Sequence, residues 1–452
     1  MENQQCISKL DASMIRCGVS FIFSYQFKGR VNKEILQTSA INLLSNVPRL
    51  QKTMLTNDTY NGYWQGQLVD TKRWFIYQKN TFDQALTDFY QTLVSEQKAT
   101  GFPGMFFVLV VHPTDDDAFM ILQCGKHSYC DGSSATLLFN QFIKYYNAAL
   151  NKNTSIQQQL LDNVKAMISP EPNDIYSLFS GKNKKWLDIG RWSHIKNTAR
   201  LITYKTQDTG KFATPHTLLP EMLAQYKIQT STPQKHYFDV APFIKKCQQY
   251  SAEISPNTMV LALVAKAMSD INKDDNISFR VMVDILNVGL RKKIFGNYIA
   301  YLPITVNTHL SVENIAVLIN KHLYQAKLAQ QDVSMYKMLE FALGSGMANK
   351  TNDPVSYIIS NINNVAMQTN PEMMTNAICE SFEASANAAP IDVQGAQLNN
   401  RPTLCYNLAH NSQLYIGFFN TLTAPQITEC FLTEMKKILN LYASEAITNI
   451  DH

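Results

Sequence analysis

The chain has 452 residues, with 40 Lys and Arg against 36 Asp and Glu, a formal net charge of +4. Apolar residues make up 45% and charged residues only 17%, which suits a globular chain with a sizeable core, excludes global disorder and leaves a surface that is polar more than charged. So small a basic excess, gathered only in short clusters around Lys182, Lys184 and Lys185 and at Arg291, Lys292 and Lys293, argues against a dedicated nucleic-acid binder.

The opening residues, Met1 to Cys6, carry neither a basic nor an apolar leader pattern, so no secretory signal is expected. No apolar run reaches the roughly 18–20 residues that a membrane helix requires. The eight cysteines are scattered, without a CxxC pair, and several sit in apolar runs as buried free thiols do. The expectation is a soluble protein of a reducing, cytoplasmic compartment.

In chain order, Val19 to Tyr25 reads as a strand. Asn32 is a suitable helix cap ahead of Ile35, Leu36, Leu43 and Leu44 on one face, Val31 can staple onto Leu36, and Pro48 closes the unit. Phe106 to Val111 and Ala118 to Cys124 read as two buried strands joined by the turn residues Thr114 to Asp117. Then come Gly125-Lys126-His127-Ser128-Tyr129-Cys130-Asp131-Gly132 and, from Ser133, a helix with Leu137, Leu138, Phe142 and Tyr145 as its apolar stripe. This places His127 in a tight strand-to-helix loop.

Patterning weakens between about 150 and 235, where five prolines and one basic amphipathic piece, Trp186 to Tyr204, read as a linker that partly packs as a helix. Ser255-Pro256 is a strong helix start, with Ser as cap and Pro in the first turn. Ile277 to Leu286 and Tyr298 to Val306 read as strands, with a long helix from Ser311, a strand ending at Asn361, strands Thr403 to Leu408 and Gln413 to Phe419, and a helix from about Pro425. The fold class is α/β with two lobes. The boundaries are an N-terminal lobe over 1–180, a linker over 181–234 and a C-terminal lobe over 235–452.

No phosphate loop or dinucleotide-binding turn is present, and Gly344-Ser345-Gly346 lacks the spacing of a nucleophile elbow. Cys124, His127 and Cys130 have metal-like spacing but no evident fourth ligand; no metal is expected. The informative unit is His127-x3-Asp131-Gly132. A histidine titrates near neutrality and can take a proton from a hydroxyl or an amine, and direct attack on an activated thioester needs little beyond that base and two substrates held in line. An Asp four residues on can pin the loop by pairing with a distant arginine, and Gly132 permits a tight turn before the helix.

On these residues the chain resembles the HxxxD acyltransferase superfamily, which includes chloramphenicol acetyltransferase, alcohol acetyltransferases, BAHD enzymes, polyketide-associated acyltransferases and condensation domains. The likeness runs through Pro48-Arg49-Leu50, the hairpin into His127, Ser255-Pro256-Asn257, Arg291…Gly296-Asn297, Ser360-Asn361 and the closing strand–strand–helix. It implies two similarly folded lobes meeting along a tunnel, with His127 midway as general base. It implies that Asp131 is structural and points toward an arginine of the second lobe. Arg291 is the choice for that partner; Arg280 is the lesser one, since it can pair with Asp284. Asn297 and Ser360 complete the candidate site, Ser360 as a donor to the oxyanion. The implied activity is acyl transfer from a phosphopantetheine thioester, acyl-CoA or an acyl carrier protein, to a small-molecule hydroxyl or amine acceptor, with no resident cofactor, in secondary metabolism. The basic clusters could meet the CoA phosphates or an acidic carrier. The alternatives are a free-standing condensation enzyme and a catalytically silent binding scaffold. Lys126 stands where condensation domains carry a first histidine, and the BAHD DFGWG motif is absent.

Overall fold

The computed structural model describes residues 6–56, 62–66, 71–96, 103–172, 174–175, 217–226, 234–251, 254–272, 275–345, 357–361, 374–390, 396, 403–408, 413–418 and 425–448. The basic piece Trp186 to Tyr204 and the Lys182 cluster lie outside them. The first half contains α1 (Lys9–Cys17), β1 (Val19–Gly29), α2 (Lys33–Leu44), the hairpin β2 (Lys52–Thr56) and β3 (Gly62–Gly66), β4 (Phe75–Lys79), α3 (Phe82–Ser95), β5 (Met105–Val111), β6 (Ala118–Lys126), α4 (Gly132–Leu150) and α5 (Thr154–Lys165). The second contains α6 (Leu219–Tyr226), β7 (Gln234–Asp239), α7 (Ala241–Tyr250), α8 (Pro256–Asn272), β8 (Asn276–Asp284), the helical turn Val288–Arg291 and β9 (Ile299–Asn307). It continues with α9 (Val312–Leu328), α10 (Gln331–Gly344), β10 (Tyr357–Asn361), β11 (Ala377–Ala388), β12 (Thr403–Leu408), β13 (Gln413–Phe418) and α11 (Pro425–Thr448).

The caps anticipated from sequence at Asn32 and Ser255 form as drawn, and Ser311, where the sequence reading begins a long helix, is also a cap. Asn32 accepts from Ile35 N at 3.0 Å, Ser255 Oγ from Thr258 N at 3.2 Å and Ser311 Oγ from Asn314 N at 3.3 Å. Each satisfies a first-turn N–H that has no partner within the helix.

A five-stranded sheet runs β11-β1-β6-β5-β4 and a six-stranded sheet runs β7-β13-β12-β10-β8-β9. In the first sheet the period-two pattern separates two cores. Phe21, Phe23 and Tyr25 of β1, Phe107 and Leu109 of β5 and Ile121 of β6 join a core that includes Leu36 and Leu43 of α2 and Leu138 and Phe142 of α4. The alternate residues Ile22, Phe106, Val108, Val110, Met120, Leu122 and Cys124 meet Leu86, Phe89 and Leu93 of α3. The second sheet buries Phe279, Val281, Ile304, Leu404, Tyr406 and Ile416 with residues of α8, α9 and α11.

β11 comes from the second half of the chain yet pairs with β1 over the whole of that strand, from Val19 opposite Ala388 to Gly29 opposite Ala377. The two sheets then touch through it: Asn407 Nδ2 donates to the Phe382 carbonyl at 3.2 Å, and Tyr237 donates to Glu383. Sequence reading also passes over α1, β4, α3, α5 and β7. They are short or strongly polar on one face, and tertiary packing more than local pattern sets them.

Candidate functional site

β6 delivers the chain to the loop 127–131. His127 N donates to the Val19 carbonyl at 2.9 Å, and Tyr129 N closes a turn on the Lys126 carbonyl at 3.0 Å. The Tyr129 ring lies so close over Gly104 that an added Cβ there would sit 2.4 Å from it. Its hydroxyl donates to the Lys52 carbonyl and receives Met54 N, at 3.0 and 3.3 Å. The loop is therefore fastened to both β1 and β2 before any charge is considered.

The His127 ring lies edge-on to Phe21, with centroids 6.2 Å apart, and its Nδ1 is buried without a partner of full hydrogen-bond geometry. Burial lowers the imidazole pKa below its ordinary value, opposed in part by Asp131, by the residue's own backbone and by Asp11. The shift favours the uncharged ring, the form able to accept a proton.

Asp131 is 1% exposed and faces away from that task. Its Oδ1 caps α4 by accepting from Ser134 N at 2.8 Å. The same carboxylate takes both terminal nitrogens of Arg291, Nη1 at 3.2 Å on Oδ1 and Nη2 at 3.0 Å on Oδ2, and Oδ2 also accepts from Tyr298 N at 2.9 Å. Arg291 thus lies on Asp131 across 160 residues of sequence. Its Nη1 also donates to Ser134 Oγ at 2.9 Å and its Nε to Asp284 Oδ2 at 2.8 Å, with a further contact from Nη2 to Asp284. Asp284 ends β8, and Arg291 closes the helical turn that follows, so the strand end presents the arginine. Burial raises the Asp284 pKa, Arg291 opposes that and Asp131 adds to it.

Gly296 locks the same junction. Its carbonyl accepts Asp131 N at 3.0 Å and Ser134 Oγ at 2.9 Å. With φ of +156° it holds a backbone that a side chain rarely adopts, and a Cβ would stand 2.8 Å from the Tyr298 ring. Ser169 Oγ on the Phe295 carbonyl and Tyr298 on the Pro170 carbonyl, at 2.6 and 2.8 Å, tie the segment to residues 168–170. Asn297 is 2% exposed, with neither amide atom hydrogen-bonded.

Some expectations are corrected by these positions. Gly132 is the first residue of α4 and is not among the glycines with positive φ; the turn is made earlier, at 128 and 129, so Gly132 is not what permits it. Arg291 is consumed in a buried ion network and cannot serve a phosphate, whereas Lys292 and Lys293 are exposed. Asp284, set against Arg280 in the sequence reading, is bound to Arg291. Cys124 and Cys130 belong to cores on opposite faces of the first sheet, and burial drives both thiols well above their ordinary pKa. Among the described residues no cluster of three or more His, Cys, Asp and Glu is placed to hold a metal, and no helix is long and apolar enough to cross a membrane. The backbone of Ser360 lies in β10 beside Met282 of β8; its side chain is outside the described residues.

Sequence reading missed Asp11 and gave Arg49 no role. Arg49 donates Nε to the Tyr129 carbonyl at 2.7 Å and Nη2 to the Ser128 carbonyl at 3.0 Å and to Asp11 Oδ2 at 2.6 Å. Only the Pro48-Arg49-Leu50 cluster signalled the arginine, and nothing local signalled its acid.

No family model matches the sequence, and no curated protein does. Solved structures do match the fold. A trichothecene 15-O-acetyltransferase from Fusarium sporotrichioides aligns at a TM-score of 0.69 and 10% identity, over 97% of this chain and 94% of that one. The first condensation domain of the calcium-dependent antibiotic synthetase aligns at 0.69 and 9%, over 98% and 97%. The starter condensation domain of rhizomide synthetase, solved with C8-CoA and Leu-SNAC, aligns at 0.64 and 12%, over 98% and 95%. The chain therefore has the fold shared by these acetyltransferase and condensation structures along nearly its whole length.

Proposed function

We propose that this protein is an acyltransferase that moves an acyl group from a phosphopantetheine thioester, with acyl-CoA the favoured donor, to a hydroxyl or amine of a small molecule. The observation that carries the reading is a half-buried histidine on a loop whose Asp131 is turned away and saturated by four donors, whose Tyr129 hydroxyl is held by Lys52 and Met54 and whose Cys130 is in the core, which leaves His127 to act on substrate. His127 takes the proton of the acceptor as its oxygen or nitrogen attacks the thioester carbonyl. The new C–O or C–N bond forms, the tetrahedral intermediate expels the thiolate, and the imidazolium returns the proton to sulfur. Both substrates are present together, so no acyl-enzyme is needed.

On this reading the segments 1–180 and 235–452 are the two lobes, with β11 lent by the second to the first, and the substrates reach His127 through a tunnel between them. Arg291 and Asp131 are structural: they join the base's loop to the second half of the chain. Fold likeness to an acetyltransferase and to condensation domains supports the reaction class.

The test is free-thiol release from a panel of acyl-CoAs by the wild-type protein and by His127→Ala, since slow leakage to water removes the need to know the acceptor. The expected result is release by the wild type that falls at least about a hundredfold in the variant. Equal release by both proteins would remove His127 from the chemistry. If no acyl-CoA is turned over while an acylated carrier protein is, the donor assignment changes and the base does not.

A further inference from the structure

A second line of contacts, separate from the Asp131–Arg291 pair, also ends beside His127. It begins on α10, where the two carboxylate oxygens of Glu340 accept the backbone N–H groups of Lys9 and Leu10, each at 2.8 Å. These are first-turn donors of α1, which have no partner within the helix. α1 then presents Asp11, whose own N–H is held by Ser8 Oγ at 2.9 Å. Asp11 is 3% exposed and meets Arg49 at 2.6 Å. Arg49, 7% exposed, fastens the carbonyls of Ser128 and Tyr129, the two residues that follow the base.

Two features make this line more than ordinary packing. Removing a carboxylate and a guanidinium from water is costly, and an apolar pair of the same size is often as stabilising, so the placement of such a pair on the base's own loop is informative. Asp11 also acts on the base through space, its charge favouring the protonated His127. The Arg291 network restrains the far end of the loop at Asp131, while the Arg49 line restrains the near end at 128 and 129, so the loop is gripped at both ends by an arginine and its acid.

We propose that Asp11 and Glu340 are positioning residues for His127: Glu340 sets the first turn of α1, α1 sets Asp11, and Asp11 orients the Arg49 guanidinium that fixes the peptides next to the base. The proposal rests on the reading of His127 as the general base. Glu340 faces the charges of Lys9 and Asp11; burial pushes its pKa up to about 7, the backbone bonds from Leu10 and Lys9 oppose this, and Asp11 adds to it.

The experiment compares wild type, His127→Ala, Asp11→Asn and Glu340→Gln in the full-length protein. It records kcat and KM for thioester turnover, the acid limb of kcat/KM against pH, and the melting temperature. Asp11→Asn is expected to lower kcat about tenfold or more, with KM within about threefold, because a base misplaced by a fraction of an ångström loses its line to the acceptor. Its acid limb moves to lower pH, since the imidazolium has lost a favourable charge. Glu340→Gln keeps one acceptor oxygen and shows a smaller fall in kcat. A packing role alone would lower the melting temperature and leave the acid limb in place. Should Asp11→Asn fail to fold, Glu340→Gln carries the same test at the half-buried end of the line. Wild-type kcat and acid limb in the folded variants, with His127→Ala inactive, would overturn the proposal and leave the base standing. Full activity in His127→Ala would overturn the base, and the proposal with it.

Discussion

Arg291→Ala is the sharpest perturbation of the junction between the halves. In the wild-type protein the guanidinium makes two bonds to Asp131, one to Ser134 Oγ and two contacts to Asp284. Its loss leaves Asp131, 1% exposed, with only the N–H groups of Ser134 and Tyr298 and with a second carboxylate facing the same cavity. Breaking a buried pair by deleting one partner costs about 3–5 kcal/mol. At roughly 2 °C per kcal/mol for a large domain, the expected fall in melting temperature is about 6–10 °C. Arg291→Lys keeps the charge but cannot reproduce a planar fork that serves three partners, and is expected to lose about half as much. Thermal and urea unfolding, read by near-UV circular dichroism, measure both variants, with thiol release followed alongside. A melting temperature for Arg291→Ala within about 1 °C of wild type would refute the reasoning, because it would mean the acids at 131 and 284 tolerate each other without a cation.

Two further outcomes follow from the same geometry. Because burial holds the His127 imidazole below 6.5, the acid limb of kcat/KM should lie below that pH and activity should be level through neutrality; a midpoint at or above 7 would contradict the placement of the ring. The unfolded chain binds that proton more readily than the folded one, so His127 also makes stability fall as pH drops below 6.5, measurable by comparing wild type and His127→Ala across pH 5 to 7. Gly296→Ala should destabilise by about 1–3 kcal/mol, since φ of +156° is strained for alanine and its Cβ would meet the Tyr298 ring at 2.8 Å. Denaturant midpoints check this, and an unchanged midpoint would mean the loop can move away without loss.

How much of the site was legible follows from the range of the forces involved. His127, Asp131 and the helix after them were legible because strand, loop and cap are written within about ten residues, where alternation, turn chemistry and a capping side chain act locally. Arg291 could be picked out as a partner on resemblance and spacing, yet its second acid, Asp284, was assigned elsewhere, since a sequence does not state which way a residue at a strand end will turn. Asp11, Arg49 and Glu340 carried almost no local signal. Each is an ordinary charged residue until 38, 80 or 330 positions of chain are folded onto one another.

The sequence alone determined the α/β class, the paired buried strands, the helix starts at Asn32, Ser255 and Ser311, and the loop that carries the histidine. Periodicity and capping suffice for these, because they are set by neighbours a few residues away. Tertiary structure alone decided that β11 crosses to complete the first sheet, that two arginines and three acids converge on one loop, and that the pKa of His127 is lowered. Sheet completion depends on which edge is left open, and charge state depends on how much water and which charges surround a group. Both are properties of the assembled chain.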